Sequence, residues 1–435
     1  MSETNRSTLV KGAGLGAVCL AFGLAWYSHP PAPIADFRIL DLASTSKGVQ
    51  PDAAPSYTSR FASTDLDDFV HAAAVSPLPG GDLIAVWFAG SREGAADVQI
   101  RGARYSAAGG EWGKERVLAT RGSTEAAINK HIRKLGNPVI ALAPNDRLWL
   151  FYVSVSVGGW AGSAINAVYS DDFGESWSTP RQLVTTPFLN ISTLVRGAPV
   201  FHADGSIGLP VYHEFLGKFA EYLYLDPEGA VRDKFRISRG KHSLQPSIVP
   251  LSPTRAVALL RYAGNGPHHV LASETNDAGK TWSKPRAVDP NNPNSSLAAV
   301  ASPDHGLLVA LNNLTDGRYR LSLYDTNSEM TLWQPVVELD QSPDPEGNPF
   351  TPEVYREIIG DKYMLSSGLR RHSSLEQYLE HLDQRVCSAL GCEFEYEYPY
   401  FIRSKDGLYH LVYSWNNSFV KHVSFNEAWL KEQLQ

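Results

Sequence analysis

A chain of 435 residues with a formal net charge of −7 carries no basic stripe of the kind a nucleic-acid binder needs. Its 10 Trp, 19 Tyr and 17 Phe stand among 35 Gly and 28 Pro, a composition that suits an all-β protein with tight turns better than a helical bundle. No low-complexity tract or long charge run interrupts it.

At the N-terminus Arg6 and Lys11 precede an uncharged run from Gly12 to Trp26, and His29-Pro30-Pro31-Ala32-Pro33 follows. The layout predicts a signal peptide over residues 1–28. Because no small-x-small cleavage site follows, an uncleaved signal anchor is the preferred reading. Residues 29–36 form a Pro-rich linker. The expectation is an exported protein, periplasmic or extracellular, tied to the inner membrane by this segment. Cys387 and Cys392 are spaced for a short disulfide in an oxidising compartment, or are two reduced thiols near a helix end. Cys19 reads as apolar filler.

Apolar and aromatic runs then recur with Asp, Asn and Gly between them, from Leu83 to Ala89, Val98 to Tyr105, Leu148 to Val157 and onward to Leu408 to Trp415. Ser170-Asp171-Asp172-Phe173-Gly174-Glu175-Ser176-Trp177 reads S-x-D-x-G-x-[ST]-W, and Thr275 to Trp282 repeats it with Thr first. Such an octet predicts a turn between two strands. Asp and Ser/Thr oxygens bond backbone N–H groups, Gly supplies a positive φ, and Trp fills the space between sheets. Degenerate copies span Ser106 to Trp112 and Tyr324 to Trp333. The gap between Trp177 and Trp282 leaves room for a unit without a box around residues 196–240.

The octets resemble the Asp box of sialidases and related bacterial neuraminidase-like β-propellers. The resemblance extends over about residues 69–424, with Trp87 to Gly94 and Glu397-Tyr398-Pro399 among its clearest phrases. Counting units gives a six-bladed β-propeller over residues 37–425, with Phe37 to Leu42 as a strand that pairs with the last blade and closes the ring. Residues 340–395 change period. Ser373 or Ser374 begins a capping box, and Leu375, Tyr378, Leu379, Leu382, Val386 and Leu390 follow at helical spacing. This predicts a helical insertion in the sixth blade, either a lid over the central cavity or padding outside it. Residues 426–435 are a tail.

In sialidases, an arginine in a Phe-Arg-Ile-Pro motif and two later arginines clamp the sugar carboxylate, a planar anion suited to guanidinium forks. The resemblance places the later two at Arg261 and Arg318. At the first position Phe69-Val70-His71-Ala72 puts His71, which cannot make the fork. Arg92 and Asp97 match the family's accessory arginine and its loop acid/base, and Tyr398 matches its nucleophile. A phenol suits an anomeric centre whose own carboxylate would repel an Asp or Glu. Gln245 stands where the activating glutamate would be; Glu214, Glu395 and Glu397 are other carboxylates available for that task. Each residue has a plainer reading. Asp97 caps a turn, Tyr398 packs between blades, His71 is a satisfied core histidine, and any one arginine is structural.

His131, His213, His268, His269 and His410 lack compact ligand spacing, so no metal or cofactor is expected. The leading expectation is a monomeric exo-glycosidase acting on a terminal acidic sugar. Two others compete: a hydrolase or lyase acting on a uronate polysaccharide with His71 and Tyr398 as base and acid, and a non-catalytic propeller that binds acidic glycans.

Overall fold

The computed structural model describes residues 3–28, 33–39, 54–63, 69–186, 190–239, 242–266, 268–302, 306–367, 379 and 386–435. Contacts divide the chain into Met1–Ile34 and Ala35–Gln435. The first unit contains a helix, Glu3–Ser28. Among the described residues no helix is long and apolar enough to cross a membrane, so the expected anchor is not supported. The reason lies in the run itself. As a helix, Gly12 to Trp26 extends only about 22 Å at 1.5 Å per residue, against a hydrocarbon core of about 30 Å.

The second unit is an all-β, six-bladed propeller made of antiparallel sheets. The blades begin with inner strands Phe69–Pro77, Lys134–Leu142, the pair Leu194–Val195 and Val200–Phe201, Ser243–Pro250, Ala298–Ser302 and Tyr396–Arg403. The third blade, Leu194 to Arg236, is the box-less unit expected near residues 196–240. Inner strands of neighbouring blades pack on one another, and the first packs on the last, so the ring closes. Strands Leu83–Gly90 and Leu148–Val155 are buried along their whole length because each is covered on both faces by neighbouring blades.

Ring closure differs from expectation. The outer strand of blade six is Tyr57–Phe61, paired with Phe419–Phe425 so that Tyr57 faces Phe425 and Phe61 faces Lys421. Phe37 instead makes an isolated bridge to His202 in blade three and stacks on its ring at 5.1 Å; residues 40–42 lie outside the described chain. Aromatic packing selects between the two segments. Phe61 stacks on Phe419 at 4.5 Å and Tyr57 meets Trp429 at 4.8 Å, contacts that Phe37 cannot make while it fills the pocket beside His202 and Tyr222.

The insertion precedes blade six rather than interrupting it. Helix Pro352–Ser367 follows strand Trp333–Gln341 of blade five and packs on Tyr57–Phe61, with Tyr355 and Ile359 buried beside Phe394 and Tyr396. That helix pads the outside of the ring. Most of the helix expected from Leu375 to Leu390 lies outside the described residues. Cys387 and Cys392 form a disulfide across a two-stranded hairpin. The expected tail is a short helix, Glu427–Gln433, capped by Asn426 and anchored by buried Leu430.

Both boxes fold as their residues dictate. Asp172 accepts from the Ser176 N–H (2.9 Å), the Ser176 hydroxyl (2.5 Å) and the Ser170 hydroxyl (2.6 Å), while Ser170 Oγ accepts from the Gly174 N–H at 2.7 Å. These donors, led by Ser170 and Ser176, hold the Asp172 carboxyl down to about 2. Asp277 repeats the pattern with Thr275 and Thr281. In the degenerate copy Met330 stands at φ 56 where the full box has Gly279 at φ 96, and each following Trp donates to that residue's carbonyl. Each box joins the third and fourth strands of its blade. That places it at the end opposite the hairpins between second and third strands, which share an end with the start of every inner strand.

A candidate active site at the mouth of the propeller

Four inner strands begin with the same irregularity. One residue is bulged out of register after His71, Gly136, Leu244 and Glu397, and the next residue has a positive φ: Ala72 (54°), Asn137 (44°), Gln245 (49°) and Tyr398 (52°). Pro follows in three of the four, as Pro138, Pro246 and Pro399. A bulge of this kind re-aims a side chain out of the sheet, and strained backbone of this type persists where surroundings impose it. Repeated around the ring, it builds a floor of side chains at the mouth.

Arg261 and Arg318 are held side by side on this floor by one residue, Asn294. Arg261 Nε donates to Asn294 Oδ1 at 2.6 Å, and Arg318 Nη2 donates to the Asn294 carbonyl at 2.9 Å. Arg261 Nη1 also donates to Gln245 Oε1 at 3.1 Å. Gln245 and Asn137 both donate to the Tyr212 hydroxyl, at 3.4 and 3.0 Å. A neutral amide at position 245 therefore serves as a brace between Arg261 and Tyr212. Arg318 pairs with Glu397, whose other oxygen lies 3.5 Å from His71 Nε2.

His71 is 4% exposed, and its imidazole is pushed down to about 3, first by burial and then by Arg318 and Arg196, with Asn417 opposing. Glu397 would favour the cation, but its charge is already engaged by Arg318. His71 is thus a neutral ring packed edge-on against Tyr398, with centroids 4.4 Å apart. It occupies the floor without presenting a cation. The Tyr398 ring is half-buried, and its hydroxyl makes no hydrogen bond among the described residues.

The other expected residues lie on the rim. Asp97 is exposed, and both its oxygens accept from Ser91, from the backbone N–H at 2.9 Å and the hydroxyl at 3.0 Å; this is a turn cap on the first hairpin. Arg92 is exposed on the same hairpin. Glu214, at the end of strand Ile207–His213, is half-buried, and burial raises its carboxyl against the opposing pull of Lys218 and Arg261. Rim residue Lys134 lies over the Trp160 ring at 3.8 Å.

Four residues of the site escaped the sequence reading: Arg196, Asn137, Asn294 and Tyr212. Arg196 starts Arg196-Gly197-Ala198-Pro199, the break in blade three's inner strand, and the recurrence of Pro at the strand starts was the available signal. Among the described residues no group of His, Cys, Asp and Glu is arranged to hold a metal ion.

Together these features define a six-bladed propeller of the sialidase type with a polar, arginine-bearing mouth. The sequence matches the BNR repeat-like domain over residues 81–411, and the chain belongs to that family. A Hadza microbial sialidase superposes with a TM-score of 0.59 at 14% identity, over 82% of this chain and 65% of its own length. A Dyadobacter fermentans protein of unknown function gives 0.62 at 12% identity, over 86% of this chain and 100% of its own. Trypanosoma rangeli sialidase gives 0.58 at 12% identity, over 87% and 61%. At such identities the likeness is one of fold. No curated protein matches the sequence significantly.

Proposed function

We propose that the protein is a retaining exo-glycosidase that removes a terminal carboxylate-bearing sugar from a glycan. The observation that carries this reading is the pair Arg261 and Arg318 fixed by Asn294 beside Tyr398. The guanidiniums of Arg261 and Arg318 outnumber the buried carboxylate of Glu397, which pairs with Arg318 and leaves Arg261 without an ion pair among the described residues. A surplus of fixed positive charge in a sheltered mouth favours an anionic sugar.

In this mechanism the sugar carboxylate lies against Arg261 and Arg318. Tyr398 Oη attacks the anomeric carbon and gives up its proton to solvent in the mouth. The glycosidic C–O bond breaks, with Glu214 giving its proton to the departing oxygen. Water, deprotonated by Glu214, then displaces Tyr398, whose phenolate regains a proton from solvent as the sugar is released. Glu214 takes the proton-donor role because burial raises its carboxyl, whereas Asp97 is exposed and each of its oxygens accepts from Ser91. The burial of His71 argues against its acting as a base toward a uronate. The disulfide between Cys387 and Cys392 supports export to an oxidising compartment.

The test is a screen of 4-methylumbelliferyl α-ketosides of keto-sugar acids and of uronosides. Arg261→Met should raise KM by on the order of 10-fold or more through loss of a charge-assisted contact. Equal turnover of acidic and neutral sugars, or no effect of Arg261→Met, would contradict the acidic-sugar reading. The proton-donor role has its own signature. Activity should fall on the alkaline side as Glu214 loses its proton. Glu214→Gln should slow alkyl glycosides far more than the 4-methylumbelliferyl compounds, whose leaving group needs less protonation. Equal slowing of both would remove Glu214 from that role.

A further inference from the structure

Arg196 is 2% exposed and makes no ion pair with a carboxylate among the described residues. It starts the break in the inner strand of blade three, yet its Nη2 donates to the main-chain carbonyls of Tyr398 and Pro399 in blade six, the latter at 3.2 Å. Blades three and six are opposite one another in a ring of six, so this one side chain reaches across the axis. Its Cζ lies 5.4 Å from the Tyr398 ring centroid and 5.6 Å from that of Tyr400. Tyr400 is itself fixed to blade two by a 3.0 Å hydrogen bond to the Ile140 carbonyl.

Stability alone is a poor reason for this arrangement. A buried cation without a counter-ion loses its hydration, and an apolar residue of similar volume often serves the fold as well or better. Burial pushes the guanidinium down to about 10, which still leaves it charged at neutral pH. The carbonyls it grips belong to the residues that form the bulge, where Tyr398 is held at φ 52. A non-glycine residue in that region persists only when its surroundings impose it.

We infer that Arg196 is the positioning residue for Tyr398: by holding the Tyr398 and Pro399 carbonyls from across the propeller axis, it fixes the bulge that aims the phenol into the mouth. The inference rests on the glycosidase reading only for its consequence in catalysis. The placement of the ring can be measured without turnover.

The experiment uses the full chain with 3-fluorotyrosine at position 398, followed by 19F NMR in otherwise wild-type, Arg196→Met and Arg196→Lys backgrounds. The expected result is one sharp 398 resonance in the wild type. It shifts and broadens or splits in Arg196→Met and is partly restored in Arg196→Lys, which keeps the charge and a donor for the two carbonyls that Nη2 holds. On any glycoside turned over, Arg196→Met should lower kcat on the order of 100-fold with KM changed only a few-fold, since a misaimed nucleophile loses orientation rather than affinity. An unchanged 398 resonance in Arg196→Met would overturn the inference whether or not the screen finds a substrate. If Arg196→Met does not fold, the decision passes to Arg196→Gln, whose shorter side chain falls short of the far carbonyls, and there a resonance identical to wild type would overturn it. Inert glycosides with the expected 19F change would instead fault the glycosidase reading alone.

Discussion

Tyr398→Phe should reduce turnover of an acidic glycoside by on the order of 1000-fold or more, while leaving the thermal midpoint within about a degree of wild type. The two halves of this expectation come from different atoms. The ring carries the packing: it meets the His71 imidazole at 4.4 Å and lies over the Arg196 guanidinium at 5.4 Å, and phenylalanine keeps both contacts. The hydroxyl makes no hydrogen bond among the described residues, so removing it leaves no buried partner unsatisfied. The loss should fall on kcat, because Arg261, Arg318 and their Asn294 brace still hold the sugar. Steady-state kinetics together with a melting curve check both halves. Full activity in Tyr398→Phe would reduce Tyr398 to inter-blade packing.

A large structural effect is expected at Gly197→Ala. A Cβ there would stand 2.1 Å from the Pro246 carbonyl and 3.0 Å from Pro210 Cβ. The Pro246 carbonyl belongs to the bulge of blade four, so relief requires two inner strands to separate rather than one side chain to turn. Forced overpacking of this kind costs about 3 kcal/mol. The damage should not stop at stability, because Gly197 lies between Arg196 and the strand start, and Pro246 follows Gln245, the brace of Arg261. A lower thermal midpoint and a weakened response to acidic sugars should therefore appear together. Gly159→Ala is the control, since a Cβ there meets nothing within 4 Å. Equal melting of the two variants would show that blades three and four have slack at this point.

The scaffold was the legible part of this chain. Asp172 and Asp277 organise their turns through contacts no more than four residues away, and such local chemistry is written directly in an octet. The spacing of the tryptophans placed the blades for the same reason. Ring closure was harder to read, because Phe37 and Tyr57 to Phe61 are both aromatic, strand-forming segments. Which one reaches blade six depends on pockets made by His202 and Trp429, distant in sequence.

The site divides along the same line. Arg261, Arg318, Tyr398, His71 and Gln245 were found as single positions, and they meet on one floor. Their partners were not visible. Asn294 and Tyr212 act on residues in other strands, and Arg196 reaches Tyr398 across 202 positions. Asp97 shows the opposite case. Its place in the chain suggested proton transfer, and in the fold each of its oxygens accepts one hydrogen bond from Ser91, six residues away. A motif position supplies a residue type, and only the neighbours supply its protonation and freedom.

Catalysis through Tyr398 requires its phenol oxygen to form a bond to the acidic sugar. The direct measurement is covalent trapping. The wild-type protein is incubated with a 2,3-difluorinated keto-sugar acid, whose fluoride leaves readily while the second fluorine slows release of the intermediate, and the adduct is then mapped by peptide mass spectrometry. One added sugar is expected on the peptide containing Tyr398, absent from Tyr398→Phe and reduced in Arg261→Met. Turnover of an acidic glycoside without an adduct at Tyr398, or with the adduct on Glu397, would contradict catalysis through Tyr398.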